Sequence, residues 1–154
     1  MRRNGSKKRS AFTLIEVLLV AGILAVLAAL AIPSLMGTAT KAKINIAKSQ
    51  IGRNGAIPKG LNSYKWDMGK FPETDEGLKA LFKPKDFKKE DKRYDGPYIE
   101  GRFEELKDPW NNPYEYRCPG QMNEDEYDLW SWGPDGKDDG GKEGSDDIKN
   151  WIEK

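Results

Sequence analysis

The feature that most limits this chain is an almost unbroken apolar run from Ala11 to Met36, interrupted by one carboxylate, Glu16. As an α-helix rising about 1.5 Å per residue, the run of about 26 residues crosses a hydrocarbon layer about 30 Å thick. Arg2, Arg3, Lys7, Lys8 and Arg9 precede it with no acid among them. Such an excess of cations holds the start of a chain on the cytoplasmic side, so everything after Met36 is expected to face outward. A cleaved secretory signal is the rival reading, because Ala29, Leu30 and Ala31 form an A-x-A cleavage pattern after an apolar stretch. Glu16 argues against it. An ionised carboxylate inside hydrocarbon costs a few kcal/mol, so its presence marks a partner or a function.

The rest of the 154 residues suffices for one small domain. Setting aside the five leading cations leaves 21 Lys and Arg against 25 Asp and Glu, an acid surplus that argues against a body that binds nucleic acid. The chain has no His, the commonest general base and zinc ligand, and its single Cys118 cannot form an intrachain disulfide. No G-x-x-x-x-G-K-[ST] phosphate loop is present either. An enzyme is therefore not expected. Adjoining acids such as Glu104 and Glu105 carry no sign of a shared catalytic cleft.

The stretch KKRSAFTLIEVLLV resembles the class III signal of type IV pilins and pseudopilins: basic residues, a small residue, then F-T-L-I-E. The resemblance implies that a prepilin peptidase removes residues 1–11, cutting between Ala11 and Phe12, and methylates the new amine to give N-methyl-Phe12. Glu16 would then be the fifth mature residue. Its carboxylate would pair with the Phe12 ammonium of a neighbouring subunit during assembly, each poorly solvated charge compensating the other. The family usually has Gly where this chain has Ala11. Residues 12–36 become the transmembrane and assembly helix. Pro33 within them either bends that helix or marks its end near Ile32.

Residues 37–66 read as the soluble half of the helix, with Ala42, Ile44, Ile46, Ala47 and Ile51 available for packing. The segment GRNGAIPKG then places Gly52, Gly55, Pro58 and Gly60 in succession, each costing a helix about 1 kcal/mol or more. Read literally, the helix stops at Gly52 and restarts near Leu61. The resemblance implies instead an uninterrupted helix as far as Tyr64. A reading frame displaced by one nucleotide over Gly52 to Lys59 would allow a strong helix former such as EEMERFQR, and that alternative stands beside a true break.

Residues 67–154 form the expected globular head. Gly69 suits a helix C-cap, Phe71 and Pro72 an extended exit, and Thr74 an N-cap ahead of core positions Leu78, Leu81 and Phe82. KPKDFKKEDKRYDG is dense in charge and reads as a solvated connector. Pro109, Asn111, Asn112 and Pro113 make a tight turn before two short strands, Tyr114 to Arg117 and YDLWSW. LNSYKWDMGKFPETDEGLKALF and DPWNNPYEYR resemble the major pseudopilins of type II secretion. The expected fold is α+β and type IV pilin-like: a long N-terminal helix, transmembrane and then amphipathic, packed on a small antiparallel sheet. The Trp and Tyr residues are expected to supply much of its small core. For Trp110, Trp130, Trp132 and Trp151 a sugar-stacking platform is the alternative.

Near the C-terminus, WGPDGKDDGGKEGSDDIKNW intersperses acids with glycines that let a backbone fold tightly. Calcium, a hard cation taking six to eight oxygen ligands, suits such a segment, and a merely solvated acidic loop is the alternative. An EF-hand fails, because Lys137 falls on its second ligand position counted from Asp135 and aromatic strand sequence precedes the loop where a helix should be. The segment is similar to the calcium loop of major pseudopilins, G-P/A-D-G followed by D-D/A-D-I-x-N-W. That resemblance implies Asp135, Asp146 and Asp147 as carboxylate ligands of Ca2+, with oxygens around Trp132, Lys137 and Ser145 completing the shell.

The resemblance as a whole implies a structural subunit of the type II secretion pseudopilus, a homopolymer that drives export of folded proteins across the outer membrane. It implies a single-pass anchor in the inner membrane and a head in the periplasm. The implied partners are minor pseudopilins, the prepilin peptidase and the inner-membrane secretion platform, with no nucleic acid. A type IV pilin subunit shares the N-terminus, although many pilins carry a C-terminal disulfide loop that the lone Cys118 cannot make. A secreted calcium-dependent binding module is the remaining alternative.

Overall fold

The apolar run does form a helix. In the computed structural model, which describes residues 13–82 and 93–152 with the side chains of 31–36 excepted, α1 spans Leu14–Ile51. Ala11, Phe12, the leader before them and connector residues 83–92 lie outside the described residues. Thr13 opens α1: its Oγ1 accepts the Glu16 N–H at 3.3 Å, and its carbonyl accepts the Val17 N–H at 3.3 Å. The helix continues through Pro33 instead of ending near Ile32.

The chain divides into two compact units, one up to Ala39 and one from Thr40. In the first, large apolar side chains from Leu14 to Leu30 are exposed around the whole circumference of α1. A helix apolar on every side needs lipid or other chains around it. Among the described residues no helix is long and apolar enough to cross a membrane. The described side chains of this run stop at Leu30, whereas the run itself continues to Met36.

In the second unit, Ala47 and Ile51 are buried along one side of α1. The helix then breaks, as the glycines predict, but resumes sooner than they suggest: α2 spans Ala56–Met68 rather than starting near Leu61. The uninterrupted helix implied by resemblance is therefore not formed. Gly55 takes the N-cap position in an extended conformation, where an added Cβ would lie 2.1 Å from the Gln50 carbonyl oxygen. Pro58 falls in the first turn of α2, where a missing N–H is tolerated. Gly60 faces the head, and a Cβ there would lie 2.8 Å from Ile99 Cγ1. Gly55 and Gly60 thus each sit where a side chain would meet a close neighbour. Gly69 closes α2 in the left-handed conformation (φ 80°), its N–H donating to the Lys65 carbonyl at 2.8 Å.

Ile57, Leu61 and Tyr64 recur on one side of α2 and are buried against the rest of the core, which includes Leu78, Leu81 and Phe82. The short helix at Gly77–Leu81 is a 3-10 turn, and Thr74 does not cap it. Instead Thr74 Oγ1 donates to the Cys118 carbonyl and accepts the Cys118 N–H, both at 2.9 Å, tying this turn to the sheet. That sheet is antiparallel, in the order β1 (Tyr114–Arg117), β2 (Asp128–Ser131), β3 (Ile148–Lys149). Tyr114 lies opposite Ser131, and Trp130 opposite Lys149. The first two strands match the sequence reading and the third was not foreseen. Trp130 and Trp151 are buried as expected, but Trp66 is 89% exposed and contributes nothing to the core.

Candidate functional site

The connection from β2 to β3 returns the chain to the sheet through a tight acidic loop. Gly133 begins it at φ 71°, and a Cβ there would strike the Asp146 carbonyl oxygen at 2.2 Å, so the two ends of the loop touch through a glycine. The Asp135 N–H donates to Asp146 Oδ2 at 2.8 Å, and the Lys137 N–H donates to Asp135 Oδ1 at 2.8 Å. These bonds draw carboxylates together: ligand oxygens of Asp135, Asp139 and Asp146 all lie within 4.8 Å of one another. Ionised carboxylates only accept hydrogen bonds, so a trio at this spacing repels itself unless a cation compensates. The Lys137 ammonium, 3.5 Å from Asp135 Oδ2, supplies part of that compensation.

Asp147 adds a second indication. It is 7% exposed; its Oδ2 accepts the Gly141 N–H at 2.7 Å, whereas its buried Oδ1 meets no donor among the described residues. Burial pushes its carboxyl above the usual carboxylate range, with the neighbouring charges of Asp138 and Asp139 adding to the shift and the backbone N–H groups of Gly141 and Asp139 opposing it. A raised folded value means that the ionised form weakens the ion-free head at neutral pH. This cost is relieved as the pH falls through the raised value and the folded state takes up its proton first. A bound cation would relieve the same cost without acid. Acceptor-only oxygens around a tight turn, one of them buried without a donor among the described residues, suit a hard cation such as Ca2+.

The structure thus brings Asp135 and Asp146 together and adds Asp139, which the sequence reading did not single out. Asp147 lies outside that trio, in the buried layer beside Gly141. The Trp132 indole N–H donates to Glu115 Oε1 at 3.2 Å, and the Ser145 hydroxyl donates to the Lys142 carbonyl at 2.7 Å. The adjacent acids Asp138 and Asp139 look alike in sequence, yet only Asp138 turns to the sheet, accepting the Trp130 indole N–H at 2.9 Å. Glu16 is exposed on the first turn of α1.

Replacing Asp147 by Asn keeps an acceptor for Gly141 and removes the buried charge. In chelator, Asp147→Asn is expected to raise the melting temperature by about 4 °C, the equivalent of roughly 1 kcal/mol. In calcium it is expected to lower it. Melting curves of both proteins in both media test this, and a change of the same sign in each would exclude Asp147 from an ion site.

Comparison with known proteins places these features. The profile described as type II secretion system (T2SS), protein G, matches residues 34–151, and that of the prokaryotic N-terminal methylation motif matches residues 6–32. Type II secretion system core protein G of Pseudomonas aeruginosa is 40% identical over 146 residues, covering 94% of this chain and 96% of the relative. The protein of the same description from Escherichia coli K12 is 39% identical over 145 residues, covering 94% and 92%. The crystal structure of the major pseudopilin from the type 2 secretion system of enterohaemorrhagic Escherichia coli is similar with a TM-score of 0.58. Its sequence identity is 33%, over 77% of this chain and 95% of that one.

Proposed function

Because the chain belongs to the type II secretion system protein G family and is a subunit of the type II secretion pseudopilus, we propose that its apolar helix both anchors it in the inner membrane and polymerises it. Its α+β fold, helix on a three-stranded antiparallel sheet, is type IV pilin-like, and family membership decides between the two kinds of fibre. The observation that carries the proposal is α1 itself: apolar around its circumference, with one carboxylate, Glu16, near its start and a methylation motif over it.

In this reading the prepilin peptidase removes residues 1–11 on the cytoplasmic side, and the span 12–36 remains in the inner membrane with the head in the periplasm. The fibre grows as subunits leave the bilayer and exchange lipid for one another around α1. Glu16 fixes the register by pairing with the Phe12 ammonium of a neighbour. Minor pseudopilins and an inner-membrane secretion platform are the partners. The role is structural rather than catalytic, and the assembled fibre drives folded proteins outward.

Asp135, Asp139 and Asp146, together with the buried Asp147, would hold Ca2+. The ion would neutralise the crowded carboxylates, and these residues would then hold the β2–β3 connection closed and β3 on the sheet. Intact-mass measurement of the mature chain from its native membrane, with N-terminal fragmentation, tests the anchoring proposal. A start at N-methyl-Phe12 is the expected result. A start at Ile32 would mean a soluble exported domain and end the fibre reading.

A further inference from the structure

Charge is divided unevenly along this chain. From Gly37 to Trp66 it carries Lys41, Lys43, Lys48, Arg53, Lys59 and Lys65 and no acid, whereas residues 67–154 carry 15 Lys and Arg against 24 Asp and Glu. Among the described residues, no carboxylate lies within ion-pair distance of any of those six cations. On α2, Ile57, Leu61 and Tyr64 face the core, so the helical period turns Lys59 and Trp66, seven residues apart, to the opposite side. A Trp left 89% exposed is the kind of side chain whose burial contributes most to an interface.

A matching surface lies on the same head. In the turn joining β1 to β2, Met122 is half-exposed, and Glu124, Asp125 and Glu126 are exposed with no cation at ion-pair distance among the described residues. Within one chain, Lys65 and Lys70 line an open cavity of about 740 Å³ together with these three acids. Lys59 and Trp66 do not border that cavity and are left for a neighbour.

We propose that these surfaces meet between copies of the chain: the outward side of α2 in one subunit docks on the β1–β2 turn of the next, Trp66 packing on Met122 and Lys59 facing the acids Glu124 to Glu126. Sulfur against an aromatic ring is a favourable contact, and opposite charge beside it sets the register. Two different surfaces that join head to tail generate an open helical assembly when the rotation does not close, which is the symmetry a fibre needs. An anionic bilayer is the rival partner for a basic stretch. The exposed acids Glu124 to Glu126 on the same chain supply the opposite charge that a second copy would bring to that stretch.

The inference rests on the chain being a pseudopilus subunit, and charge reversal separates the two. Fibres are sheared from cells producing the full chain with its secretion machinery and quantified against membrane-bound chain. Trp66→Ala, Lys59→Glu and Asp125→Lys are each expected to reduce fibres, Trp66→Ala by about tenfold or more. The double variant Lys59→Glu with Asp125→Lys is expected to recover them. Melting curves of each full-length variant in detergent, matching the wild type, confirm an intact head. A photo-crosslinking residue at position 66 is expected to join two copies through a peptide containing Met122. Wild-type fibre yield from the single reversals, no recovery in the double variant, or a crosslink to lipid would each overturn the docking while leaving the family reading in place. A wild-type chain that makes no fibres would overturn both.

Discussion

Chelating calcium is expected to lower the melting temperature of the head by about 10 °C. A ligand held at 100 times its dissociation constant stabilises a fold by about 2.7 kcal/mol, and each kcal/mol moves a domain of this size by about 4 °C. The sign follows from the loop: ligand oxygens of Asp135, Asp139 and Asp146 lie within 4.8 Å of one another, and the buried Asp147 Oδ1 meets no donor among the described residues, so a bound cation would offset repulsion and desolvation together. Asp135→Ala and Asp146→Ala should each abolish most of the calcium-dependent gain. Magnesium should substitute poorly, because it demands octahedral geometry at shorter distances and keeps its water. Melting curves in calcium, magnesium and chelator make the comparison. Coincident curves would leave the segment a solvated acidic loop, the alternative that composition alone allowed.

Truncating Tyr64 should cost the head more than any other single change on α2. Tyr64 is 1% exposed and packs edge-on against Tyr94 and Tyr98, with ring centroids 6.4 and 5.7 Å away. Tyr98 is itself anchored, its hydroxyl donating to Asp67 Oδ2 at 2.8 Å from the end of the same helix. Emptying so large a buried aromatic site typically costs about 3–5 kcal/mol, so Tyr64→Ala should lower the melting temperature by about 12–20 °C. Trp66→Ala, two residues on, should stay within about 0.5 kcal/mol of the wild type, since an exposed side chain loses little on truncation. Urea unfolding of the two variants in calcium decides the matter. Comparable losses would mean that the buried and outward sides of α2 are wrongly assigned.

The aromatic residues show where reading a sequence stops. Trp and Tyr are legible as material for a small core, and most of them serve there. Nothing local distinguishes Trp66 from Tyr64, since both lie in one short helix and the difference is which side of it meets the sheet. Asp138 and Asp139 pose the same problem. Both are plausible ligands in sequence, and only the approach of Trp130 to Asp138 sorts them. Strand β3 escaped notice for a related reason: Ile148–Lys149 is too short to display an alternation, and it is a strand only because β2 lies beside it.

What the sequence by itself determined was everything written in local terms. The apolar run with its single carboxylate, the basic residues before it, the glycine that ends α2, the turn at Asn111 and the first two strands depend on the intrinsic preferences of neighbouring residues. The loop glycines and aspartates likewise announced a tight acidic turn. The tertiary structure decided the rest: where α2 restarts, which acids converge, that Thr74 binds Cys118 instead of capping a helix, and which Trp is left in solvent. Each of these follows from contact between segments distant in the chain, where close packing and the need to partner buried polar groups override local preference.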